Sequence, residues 1–222
     1  TLTVKRASSS SSSNCDLDAI KIRNADSTGT TYTLNPTFDS DTNSYTVYVP
    51  YKTDRINLYA TVDASGATMT LDGNTLSSSS WSSAQDLSTG SNTFRIKVLA
   101  PNASNSQTYT IKVYRAKSNA STDATLDSLV LRQGTSTSST KYTLSPSFDE
   151  DTTSYTTYVS SSIDRIYLAA DANRSDAVIL VNGEYFDSSY TGIDLESGSN
   201  TITVKVYAPN YSTTKTYTIK VS

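Results

Sequence analysis

The stretch "YTLNPTFDSDTNSYTVYV" at residues 32–49 returns as "YTLSPSFDEDTTSYTTYV" at 142–159, and this recurrence decides the fold. The match continues outward from it. "DRINLYA" (54–60) is followed by "DRIYLAA" (164–170), and "LSTGSNTFRIKVLAPN" (87–102) by "LESGSNTITVKVYAPN" (195–210). "TYTIKV" appears at both 108–113 and 216–221. The displacement is 110 residues early and 108 late, so length changes fall in loops. The chain holds two copies of one unit of about 100 residues, a common domain size.

Within each copy the hydrophobic period is two, the mark of a half-buried strand. In "YTVYV", Tyr45, Val47 and Val49 take one face and Thr46 and Tyr48 the other. In "RINLYA", Ile56, Leu58 and Ala60 oppose Asn57 and Tyr59. "FRIKVLA" turns Phe94, Ile96, Val98 and Ala100 inward. Asp72-Gly73 and Asn182-Gly183 sit between apolar residues and predict two-residue hairpins, because the favoured turn needs positive φ at both positions. Short strands with frequent turns and no 3.6-residue period predict an all-β chain of two tandem, antiparallel, immunoglobulin-like sandwiches. Their bounds are 15–116 and 125–222, joined by the polar linker 117–124. Residues 1–7, "TLTVKRA", match "TIKVYRA" (110–116) and read as the last strand of an upstream copy; with the serine linker they make up 1–14. The chain therefore reads as a fragment of a longer array, with flexible or semi-flexible joints.

Composition narrows the chemistry. There is no histidine among the 222 residues, which removes the commonest general base and the Ser-His and Cys-His nucleophile pairs. The single Cys15 allows neither an internal disulfide nor a CxxC zinc site and reads as a small hydrophobe. A net charge of −3 disfavours nucleic acid, and no apolar run reaches the ~20 residues of a membrane helix. The only glutamates, Glu150, Glu184 and Glu196, have no counterparts in the first copy, so no shared carboxylate pair suggests a glycosidase. Asp39 with Asp41, and Asp149 with Asp151, suit a turn better than calcium, since the further acid and glycine of a calcium loop are missing. Asp54-Arg55 and Asp164-Arg165 read as a local ion pair or turn cap. The expectation is a non-catalytic chain with no cofactor and no metal.

The pattern Leu17, Ile20, Ile22, Leu34, Pro36, Phe38, Tyr45, Asp72-Gly73, Leu87, Gly90, Asn92, Tyr109, Ile111 and Val113 resembles the cadherin-like β-sandwich domain. The second copy carries it at Leu126, Leu129, Leu131, Pro146, Phe148, Tyr155, Asn182-Gly183, Gly198, Asn200, Tyr217 and Ile219. The resemblance implies tandem use on large secreted or cell-surface proteins of Gram-positive bacteria. It specifies a fold well and a function poorly, and implies no cadherin-type calcium joint. A monomer that positions neighbouring domains of its own chain is the expected role.

Aromatics that the copies do not share are the natural place for specialisation. Trp81, the sole tryptophan, lies in "SSSSWSS" (77–83), where it either plugs one end of the sandwich or meets a ligand. Tyr59 and Tyr167 fall on outward parity, as do the shared Tyr48 and Tyr158, and the second copy adds Tyr185 and Tyr190. Pairing of 45–49 with 55–61 would line the outward tyrosines into one strip. Rings among Ser, Thr and Asn suit the C–H face of a sugar, so a polysaccharide is the candidate partner. Protein–protein adhesion is the further alternative.

Overall fold

The computed structural model describes residues 11–27, 29–186 and 189–222; the proposed upstream strand at 1–7 lies outside them. The chain divides into two units, 1–117 and 118–222.

In the first copy the strands are β1 (Leu17–Asn24), β2 (Thr31–Tyr32), β3 (Ser44–Val49), β4 (Arg55–Val62), β5 (Thr68–Leu71), β6 (Asn74–Leu76), β7 (Ser80–Trp81), β8 (Gln85–Asp86), β9 (Gly90–Leu99) and β10 (Ser106–Arg115). One sheet runs β2-β1-β4-β7, with β8 also on β4; the other runs β3-β10-β9-β5-β6. The second copy comprises β11 (Leu126–Arg132), β12 (Lys141–Tyr142), β13 (Ser154–Thr157), β14 (Arg165–Ala172), β15 (Val178–Val181), β16 (Glu184–Phe186), β17 (Thr191–Asp194), β18 (Asn200–Tyr207) and β19 (Thr214–Val221). Its sheets are β12-β11-β14-β17 and β13-β19-β18-β15-β16, the same order.

The inward parities form the core. Ile22, Val47, Val49, Ile56, Leu58, Ala60, Ile96, Val98, Ile111 and Val113 are fully buried. Leu131, Ile166, Leu168, Val204, Val206 and Ile219 repeat this in the second copy. Both hairpins form, with positive φ at Asp72, Gly73, Asn182 and Gly183.

Two pairings differ from the expectation. β3 runs parallel to β10, from Ser44 beside Thr110 to Val49 beside Arg115, and β13 runs parallel to β19. β3 thus lies in the opposite sheet from β4, which pairs with β1. The residues after Val49 cross between sheets rather than closing a hairpin, so no strip joins Tyr48 to Tyr59.

Buried tyrosines fasten the turns that precede β3 and β13. The Tyr45 hydroxyl donates to the Asp39 carbonyl, and the Tyr155 hydroxyl donates to those of Asp149 and Thr152. In the same turns, the Asp39 and Asp149 carboxylates accept from the amides of Asp41 and Asp151. These aspartates cap backbone, as turn residues do. Among the described residues no group of three acidic, histidine or cysteine side chains converges on a metal position.

The polar segment at each domain entrance docks on the unit that follows. Asn102 N donates to Ser12 O, and Asn210 N to Ser121 O. Ala124 is part of the second core, and Ala116 is buried in the first unit. The stretch 117–124 is therefore structured at its second-copy end rather than being linker throughout.

Candidate functional site

The outer face of the β2-β1-β4-β7 sheet gathers the chemistry of the first copy. On β1, Ile20 and Ile22 point to the core, so Lys21 and Arg23 point out. Pairing places Lys21 opposite Tyr59 and Arg23 opposite Asn57. Trp81, on the edge strand β7, stands opposite Tyr59 on its other side. Trp81 therefore does not plug the sandwich. Its loop is pulled in as an edge strand, and the ring lies half-buried on the outside of the sheet.

The rings of Tyr59 and Trp81 are 5.3 Å apart between centroids, tilted by 52°. The Arg23 guanidinium carbon lies 4.1 Å from the centre of the indole, and the Lys21 ammonium 5.3 Å from that of the Tyr59 ring. Both are cation–π distances. Asn57, only 8% exposed, is the floor. Its Oδ1 accepts from Arg23 Nε at 3.3 Å, and its Nδ2 donates to Ser82 O at 2.9 Å. Being short, Asn57 leaves room for Arg23 to cross β4 and reach Trp81. The Tyr59 hydroxyl is hydrogen-bonded with Thr61 and Ser79, and these bonds lower its pKa from the ordinary value.

The other candidate tyrosines are dispersed. Tyr48 stacks on Tyr114 of the neighbouring parallel strand at 5.5 Å, on the opposite sheet. Its counterpart Tyr158 is 79% exposed, because Ser222 occupies the place of Tyr114. Tyr167 stands opposite Gly192, with Arg165 5.8 Å from its ring. Tyr185 lies on β16, at the edge of the other sheet, and Tyr190 is half-buried just before β17. Of the seven, Tyr59 and Trp81 touch each other. The sequence reading missed Lys21, Arg23 and Asn57; the outward parity of "KIR" in β1 was the available signal.

The second copy lacks this cluster. Register places Val130 where the first copy has Lys21, Ala169 where it has Tyr59, and Tyr167 where it has Asn57. Arg132 corresponds to Arg23, yet its Nη1 donates to the carbonyls of Thr137 and Ser139. Arg165 pairs with Asp194 at 3.2 Å, as Arg55 pairs with Asp26 in the first copy. These arginines reach across to another strand or loop rather than pairing with Asp54 or Asp164 beside them. At one pole of the first copy, Arg115 donates to the carbonyls of Tyr51 and Leu87.

The two-sheet order, the repeated tyrosine fastenings and the paired hairpins agree with the model of the cadherin-like beta sandwich domain, which matches residues 17–116 and 126–222. The chain belongs to that family. No curated protein sequence matches these cadherin-like domains. Among solved structures, the fibronectin(III)-like modules of Clostridium thermocellum CbhA are 13% identical, with 86% of this chain and 92% of that one covered and a TM-score of 0.27. Extracellular cadherin domains 1–4 of protocadherin gamma B7 are 12% identical over 86% of this chain and 49% of that one, with a TM-score of 0.25. SGBP-B of the Bacteroides ovatus mixed-linkage glucan utilization locus, solved in complex with a mixed-linkage heptasaccharide, is 15% identical over 86% and 70%, with a TM-score of 0.21.

Proposed function

We propose that these two cadherin-like domains are a non-catalytic, extracellular module pair of a Gram-positive bacterial surface or secreted protein. The pair positions neighbouring domains, and its first copy contacts polysaccharide. The scaffold part is supported by how the shared polar side chains are used. Tyr45, Tyr109 and Asn92, with their counterparts Tyr155, Tyr217 and Asn200, all bond to backbone within their own copy. Groups committed to holding the sandwich together are not free to act on a substrate.

The observation that carries the ligand part is the contact between Tyr59 and Trp81 on an outer sheet face. The second copy keeps the fold and has Ala169 in place of Tyr59, so the sandwich does not require the pair. Aromatic surface that folding does not need is what a sugar ring stacks on. Trp81 is the only tryptophan, and its emission reports on this face alone. Titration with a panel of soluble polysaccharides should quench or shift that emission and retard the protein in affinity gels, and W81A should abolish the retardation. A flat response across the panel removes the ligand part and leaves the scaffold. Release of reducing sugar above background from any member would overturn the non-catalytic assignment.

A further inference from the structure

We infer that the polysaccharide taken by this face is an acidic one, bearing carboxylates on its sugar rings; this rests on the glycan reading of the Tyr59–Trp81 surface. A neutral sugar needs aromatic surface and hydrogen-bonding groups. It does not need two cations laid on those rings. Lys21 and Arg23 project from the same face of β1 two residues apart, where like charges disfavour one another. Among the described residues neither has an ion-pair partner, whereas Arg55, Arg165 and Lys215 each have one. This basic spot lies on a chain of net charge −3, so it does not follow from a generally cationic surface.

The geometry of Arg23 is selective. Its guanidinium lies over the indole at 4.1 Å, and Nε is held by Asn57 Oδ1. Among the described residues, its two terminal nitrogens have no hydrogen-bond partner. A planar guanidinium held by one face and by Nε keeps its outer edge for a bidentate acceptor, and a carboxylate has the matching spacing. Arg132 supplies the internal comparison: at the same register position, its Nη1 is occupied by two backbone carbonyls. A uronate bound at Arg23 would leave its ring, or that of the next residue, over Tyr59, with Lys21 beside it for a second charge and Thr61 and Ser79 at the margin.

Four polymers test this on the intact 222-residue chain: polygalacturonate, its fully methyl-esterified form, neutral galactan and poly-glutamate. Trp81 emission and affinity-gel retardation are read for each. Polygalacturonate should bind about tenfold or more tighter than the ester, and added salt should weaken it. R23Q should lose about tenfold in affinity, R23K should recover part of it, and K21Q should itself lose a smaller part. Circular dichroism melts confirm that each variant folds. If the ester or galactan binds as well as polygalacturonate, the acidic class is wrong while the glycan site stands. Equal binding of poly-glutamate would show attraction to charge alone and overturn the inference. If no polysaccharide moves Trp81 or the gel band, the glycan site falls with it.

Discussion

The amide of Leu17, the first residue of β1, donates to the hydroxyl of Tyr109 in the opposite sheet at 3.0 Å, and Leu126 donates to Tyr217 in the same way and at the same distance. Each hydroxyl then donates onward, Tyr109 to Ser40 O and Tyr217 to Glu150 O. One buried oxygen thus ties the start of the first strand to the turn before the parallel strand. Tyr109→Phe leaves the Leu17 amide unpaired among core side chains, and an unsatisfied buried donor costs about 1–3 kcal/mol. Urea melts of Tyr109→Phe and Tyr217→Phe should show losses of that size, each in its own copy. An unchanged midpoint would mean that water or another acceptor replaces the hydroxyl.

Alkali should unfold the chain through the same groups. Burial raises the pKa of Tyr109, Tyr217, Tyr45 and Tyr142 above the ordinary tyrosine value of 10.0. The folded state then keeps protons that the unfolded chain releases, so this stability is fully present below pH 10 and falls as pH rises towards the folded values. Absorbance at 295 nm followed against pH should show the tyrosines ionising in more than one set. A later set should ionise together with the loss of β circular dichroism. Sixteen tyrosines ionising in one step with the fold intact would contradict this.

Trp81→Ala should cost less than a core truncation. The ring is half-buried outside the sandwich and held by Arg23 and Tyr59, contacts worth about 1–2 kcal/mol together, against the 3–5 kcal/mol of a core aromatic. A loss above that range in a thermal melt would place Trp81 in the core after all.

Asn92 closes the bend before β9. Its side chain accepts from Ser88 N and donates to the carbonyls of Ser88, Gly90 and Val113. Asn200 does the same at Glu196 and Gly198. Asn92→Ala should destabilise the first copy by about 1–3 kcal/mol and Asn92→Asp by a similar amount, since a carboxylate cannot donate to those carbonyls. Equal stability of the aspartate variant would show that the amide's donor side is dispensable.

Strand parity was readable because the side-chain period is two whatever a strand pairs with. Ile56, Leu58 and Ala60 lie inside and Tyr59 outside, as alternation requires. What parity does not contain is the neighbour. Tyr48 and Tyr59 both face outward, eleven residues apart, yet sit on different sheets because β3 joins β10 by parallel pairing. The Trp81 segment looked like a loop because two-residue strands such as β7 carry no period to detect. The approach of Arg23 to Trp81 depends on three strands lying in register and on Asn57 being short. The repeat made the opposite inference easy: positions identical in both copies, such as Tyr45 with Tyr155, proved to be fastenings of the fold.

The Leu17–Tyr109 bond also fixes where the chain enters a domain. Leu17 begins β1 beside the start of β10, while Arg115 ends β10 at the other pole, so entry and exit lie at opposite ends of the strands. Tension carried through the chain would draw β10 lengthwise between two partners, β3 on one side and β9 on the other. Ladder bonds run across that pull, so they bear it together in shear instead of parting one after another. A domain loaded in this way should give in one step, with the β10 ladders parting together.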